Sequence, residues 1–120
     1  MNPVEIGQPV HPFEALAEPA RRRLVEILAS GEHTSGELAA VVGGEFRISR
    51  TAVSKHLRIL RDAGLIDVRA DFQWRWYWLV SDGLDLLEMT VADLRQKWAG
   101  RIGWDDERGR EPDQGWSKSF

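Results

Sequence analysis

The chain has 120 residues, 42% of them hydrophobic, enough for one domain with a small core that benefits from a partner subunit. It has no cysteine, which excludes disulfides, thiolate metal ligands and cysteine redox switching. No apolar run approaches the roughly 20 residues that a membrane span needs, and the net charge of −3 argues against a nucleic-acid partner until its distribution is read.

Residues 1–11 show no periodicity; they are acidic and broken by proline, and read as a loose N-terminal arm rather than a signal peptide. His11-Pro12 leads into PFEALA, a short helical turn with Phe13 and Leu16 three apart. Pro19 suits a first helical position, ARRRLVEILAS then puts Leu24, Ile27 and Leu28 on one face, and Gly31 marks the stop. Thr34 with Glu37 three residues on forms a capping-box signature for a helix whose apolar side is Leu38, Val41 and Val42. Gly43-Gly44 is expected to end that helix. The connection Gly44-Glu45-Phe46-Arg47 is longer than the tightest helix-turn-helix link, with Phe46 and Ile48 as its core anchors.

Ser49 caps the next helix, which runs to about Ala63 with Gly64 as its stop. Val53, Leu57 and Leu60 are its buried seam, while Arg50, Thr51, Ser54, Lys55, Arg58 and Arg61 fall on the other side. LIDVRA reads as a strand, Asp71-Phe72-Gln73 as a turn without glycine, and WRWYWLV as a returning strand rich in β-favouring aromatics. Such a hairpin after such a helix is a wing. Ser81-Asp82-Gly83 starts a last helix, expected to reach Ile102, in which Leu84, Leu87, Val91, Leu94 and Trp98 repeat at alternating spacings of three and four. The remaining polar residues, 104–120, read as a disordered tail, and residues 12–103 as one domain.

Charge follows this layout. Residues 1–46 carry seven acids against three bases, whereas residues 47–75 carry seven bases against three acids. One basic segment in an acidic protein, centred on the second helix of a helix pair, is an electrostatic footprint for DNA. A major groove about 12 Å wide admits one such helix. Its early residues Arg50, Thr51, Ser54 and Lys55 approach base edges, and Ser49 at its start is a further DNA contact. Arg47 and Arg58 grip the backbone, Arg61 is a weaker candidate, and Arg75 near the wing tip suits a phosphate or the minor groove. His56 is read as packing on the neighbouring helix, a phosphate contact being the alternative. No pair of histidines has ligand spacing, so neither a metal nor another cofactor is expected. No phosphate loop, nucleophile motif or HExxH occurs, and the chain does not read as an enzyme.

The stretches LAEPARRRLVEILASGEHTSGELA, SRTAVSKHLRILRDAGLIDVR and WRWYWL, in that order, resemble an ArsR-type (ArsR/SmtB-like) winged-helix repressor from Phe13 to Leu79. The resemblance implies a mainly α (α+β) winged helix-turn-helix with a two-stranded hairpin wing (65–80) and a long C-terminal dimerisation helix. It further implies a cytoplasmic homodimer that binds a palindromic operator in double-stranded DNA through the helix 49–63, with a small-molecule inducer as a further partner. The dimer interface is then Leu84, Leu87, Val91, Leu94 and Trp98. Where the family's metal sensors carry cysteines this chain has Arg47, Ile48 and Ser49, and its last helix has carboxylates but no histidine. It therefore resembles the cysteine-free, non-metal-sensing members. Trp74, Trp76 and Trp78 share the strand face that the resemblance turns outward. They are candidates for packing on the last helix or a partner subunit, for a ligand pocket, for a protein-binding surface or for stacking on single-stranded bases. The alternatives to a plain repressor are a ligand sensor with an apolar pocket at the dimer seam, and a winged-helix protein-interaction module.

Overall fold

The computed structural model describes residues 10–101, so most of the expected arm and all of the expected tail lie outside the described residues. The elements in order are α1 (Pro12–Ala15), α2 (Pro19–Leu28), β1 (His33–Thr34), α3 (Ser35–Phe46), α4 (Arg50–Asp62), β2 (Ile66–Asp71), β3 (Trp74–Leu79) and α5 (Ser81–Ala99). Two compact units divide between Leu87 and Glu88, within α5.

The first unit is organised by its helix ends. Thr34 accepts from the Glu37 amide at 3.1 Å while its own amide donates to the Glu37 carboxylate at 2.9 Å, so the capping box is complete. That backbone hydrogen bond, more than any other influence, holds the Glu37 carboxyl below the usual glutamate range. At the other end of the pair, α4 stops on Gly64 (φ 73°): the Leu65 amide reaches the Leu60 carbonyl at 3.1 Å and the Gly64 amide reaches Arg61 at 2.9 Å. This is a Schellman closure with its usual apolar contact, since Leu60 and Leu65 are both fully buried.

Leu24 and Leu28 of α2, Leu38 and Val42 of α3, and Val53, Leu57 and Leu60 of α4 meet Leu65 and Ile66 in one core. Val41, expected on the apolar side of α3, is exposed, and so is Phe13, whose ring stacks on His11 instead of entering the core.

The wing belongs to a three-stranded antiparallel sheet of order β1-β3-β2, not to a free two-stranded hairpin. β2 and β3 pair without a break from Ile66↔Leu79 to Asp71↔Trp74, and β1 adds Thr34↔Trp76 and His33↔Tyr77. The turn is shorter than expected. Asp71 still pairs, leaving Phe72 and Gln73 alone at the tip.

Three further expectations are corrected. α3 does not stop at Gly43-Gly44 but runs on to Phe46. Glu45 makes a two-point contact with Arg23 of α2 at 3.0 and 3.2 Å, which holds the added turn in place. Phe46, expected as a core anchor, is exposed, and Ile48 alone of that pair packs on the core. Finally, α5 ends at Ala99 and not at Ile102, since Gly100 follows and closes the last turn onto the Gln96 carbonyl at 2.9 Å.

Candidate nucleic-acid interface

Because α3 is longer, the link to α4 is short: residues 47–49 only. Arg47 takes the left-handed conformation (φ 55°), and the Ile48 amide folds back onto the Gly43 carbonyl at 3.1 Å. Ser49 then caps α4, its Oγ accepting from the Ala52 amide at 3.0 Å. The hydroxyl proton of Ser49 stays available to an outside acceptor. With Val53, Leu57 and Leu60 anchored in the core, the helix is fixed in rotation. Arg50, Thr51, Ser54, Lys55 and Arg58 all face solvent. Arg50 lies back over α3, its terminal nitrogen 3.4 Å from where a Cβ on Gly36 would stand.

The arginines and lysines of the first unit fall into two sets. Arg21 and Arg22 donate to carbonyls at the end of α1, Arg23 holds Glu45 and Glu26, Arg61 pairs with Asp67 at 3.5 Å, and Arg69 pairs with Glu32 at 2.8 Å. Arg47, Arg50, Lys55, Arg58 and Arg75 are all exposed and have no ion-pair or hydrogen-bond partner among the described residues. Four of these five stand on α4 or the turn before it, and the fifth on the wing. A cation with no protein partner keeps its full interaction for an outside anion. Arg61 and Arg69, counted in the basic segment, are already neutralised by carboxylates that are distant or across a turn in sequence.

On the wing, Ile66, Tyr77 and Leu79 pack against the core, which turns Trp74, Trp76 and Trp78 outward. Trp74 is half exposed, while Trp76 and Trp78 are partly covered. Their cover is Arg69, whose guanidinium stands 5.9 Å from the Trp76 ring and 5.7 Å from the Trp78 ring while holding Glu32. Arg75 lies on the other face of the strand, exposed and near the tip.

This geometry agrees with the comparisons to known proteins. A family model described as a helix-turn-helix domain matches residues 16–69. The HTH-type transcriptional regulator Rv2034 of Mycobacterium tuberculosis is 39% identical over 90 residues, covering 75% of this chain and 78% of that protein. The arsenic resistance transcriptional regulator ArsR1 of Pseudomonas putida is 32% identical, covering 90% of this chain and 88% of that protein. The crystal structure of an ArsR family transcriptional regulator superposes with a TM-score of 0.67 at 28% identity, over 75% of this chain and 89% of that one. The chain belongs to the ArsR family. It is a DNA-binding transcriptional regulator with a winged-helix α+β fold.

In this ArsR-family chain His56 packs inward from α4. Arg21 of α2 lies 3.1 Å from its Nδ1, and since arginine only donates, Nδ1 accepts and the neutral ring carries its proton on Nε2. Burial pushes its pKa below the ordinary histidine value, with Arg21 adding to the shift and Glu18 opposing it. The folded state therefore binds this proton less readily than the unfolded chain. Stability is complete above about pH 6.5, falls as the pH drops through that value, and levels off below the folded pKa. Chemical denaturation at about pH 7.5 and 5.5 is expected to show a larger loss in the wild type than in His56→Gln. Equal losses would assign the pH dependence to other groups.

Among the described residues no helix is long and apolar enough to cross a membrane, and no three His, Asp or Glu side chains are grouped to hold a metal ion. Within α5, Leu87 packs on the core of the first unit, and Leu84 is partly exposed. In the second unit Val91, Leu94 and Trp98 are exposed by 41, 58 and 57%.

Proposed function

We propose that the chain is a homodimeric repressor that reads a palindromic operator with α4 in the major groove and the wing beside it. The observation that carries this is the division of cations among the described residues of the first unit: those without a protein partner are the ones on α4, on its preceding turn and at the wing. Arg50, Thr51, Ser54 and Lys55 address base edges, and Ser49, Arg47, Arg58 and Arg75 address phosphates or the minor groove. Lying back over Gly36 in the free protein, Arg50 swings outward to reach a base. Leu84, Leu87, Val91, Leu94 and Trp98 of α5 form the dimer seam, an apolar repeat of which Leu87 packs on the core and Leu84, Val91, Leu94 and Trp98 remain exposed in the single chain. Residues 12–103 make up the whole DNA-binding and dimerisation domain.

Enriching duplexes from a random pool with the full chain, then measuring fluorescence anisotropy at two salt concentrations, tests this reading. The expected result is a two-fold symmetric sequence with half-sites about one helical turn apart, bound by two chains with steep salt dependence. Arg50→Ala is expected to lower the preference for one base position by about tenfold, within the range of one lost bidentate contact. Equal affinity for enriched and scrambled duplexes overturns the proposal.

A further inference from the structure

We infer that Phe72, at the tip of the wing, is an apolar wedge that enters the minor groove beside each half-site and opens a base step, so that the protein bends the duplex it binds. The inference rests on the reading of α4 as the helix in the major groove, and adds to it a residue that acts through DNA shape.

Phe72 is 94% exposed, more than any other large hydrophobic residue described, so its ring serves no purpose in the folded chain. Its backbone is also held at φ 57°, in the left-handed region, at the first position of a two-residue hairpin turn. That position favours glycine, and a bulky residue there works against the fold. A side chain that both strains the backbone and stands wholly in water points to a role outside the chain.

The mount suits a wedge. The ladder beneath the tip is unbroken from Ile66↔Leu79 to Asp71↔Trp74. Arg69 clamps Trp76 and Trp78 lower on the same hairpin, so the ring is presented on a braced arm. Gln73 follows it, exposed, and Arg75 stands nearby with no partner among the described residues. Gln and Arg are side chains that read the minor groove, and Phe is among those that part its base steps. Asp71, a carboxylate next to the tip, lies opposite Trp74 on the face away from Arg75, which sets the side of the tip that meets phosphates. Pyrimidine–purine steps unstack most easily, so such a step is expected at a fixed distance outside each half-site.

The test uses the full chain on the duplex it enriches from a random pool, with bend angles from circularly permuted fragments. Phe72→Gly is expected to unfold at a higher temperature than the wild type, yet to bind about tenfold more weakly and to reduce the bend of the duplex by at least roughly 20°. It should also lose the preference for the flexible step. Phe72→Trp should keep affinity and bend. The slope of log K against log salt should be unchanged in Phe72→Gly, whereas Arg75→Ala should reduce it by about 1, because only the latter releases a phosphate contact. Wild-type affinity and bend in Phe72→Gly, or an unbent wild-type complex, overturn the wedge while leaving α4 in its groove. A wild type that enriches no sequence overturns both.

Discussion

Reversing two charges, Lys55→Glu together with Arg58→Glu, is expected to lower affinity for the enriched duplex by about three orders of magnitude at moderate salt and to flatten the salt dependence by about 2 in log–log slope. Both side chains are exposed on the outer side of α4, three residues apart, and neither has a partner to lose. Folding should be altered only slightly, as for surface substitutions in general. The control is Arg61→Glu on the same helix. Arg61 is held by Asp67 rather than free for a phosphate, so its reversal acts on DNA only through the general field and costs no direct contact. Fluorescence anisotropy with denaturation of each variant checks the prediction. Affinity undiminished in the double variant would remove α4 from the interface.

The largest stability effect is expected at Gly83. It is buried in the first turn of α5, and a Cβ there would stand 2.8 Å from Leu65 Cγ and Cδ2 and 2.9 Å from the Ala63 carbonyl oxygen. The Gly83 amide also donates to the Gly64 carbonyl at 2.7 Å, so the turn cannot step back without losing that bond. Gly83→Ala is expected to cost about 3 kcal/mol, the upper end for overpacking, because one of the opposing atoms is backbone. Gly44→Ala provides the opposite sign. Gly44 is exposed within α3 with nothing within 4 Å of an added methyl, and alanine there should stabilise by up to about 1 kcal/mol. Urea midpoints for the two variants on either side of the wild type would establish both points, and a Gly83→Ala midpoint near the wild type would show that the α4–α5 corner yields.

What the sequence made legible was chemistry closed within a few residues. The Thr34–Glu37 capping box, the Ser49 cap and the Gly64 stop each involve groups no more than five positions apart, and each is present. Glycine pairs mislead where a distant contact decides. Gly43-Gly44 reads as a helix end, but Arg23 reaches across from α2 to Glu45 and carries α3 through both. β1 could not be read at all, since two residues show no alternation and become a strand only by pairing with β3. The cations of the candidate site were legible by position on the helix, but the sorting of Arg69 from Arg75 was not. Arg69 is neutralised by Glu32, 37 residues earlier. The wing tip carried a legible signal, a turn at Asp71-Phe72-Gln73 without glycine, but its two-residue length and its meaning need the pairing of Asp71 and the backbone angle of Phe72.

The pairing of Arg23, Arg61 and Arg69 with carboxylates also bears on how the protein finds DNA. Away from α4 and the wing, the described carboxylates of the first unit outnumber its three arginines, Arg21, Arg22 and Arg23, so that surface repels a duplex on balance. Long-range steering then favours encounters in one orientation and shortens the others. A regulator built this way gives up the lingering, orientation-blind contact that lets broadly basic proteins slide along any sequence. Its search is weighted toward repeated landings with the reading face already forward.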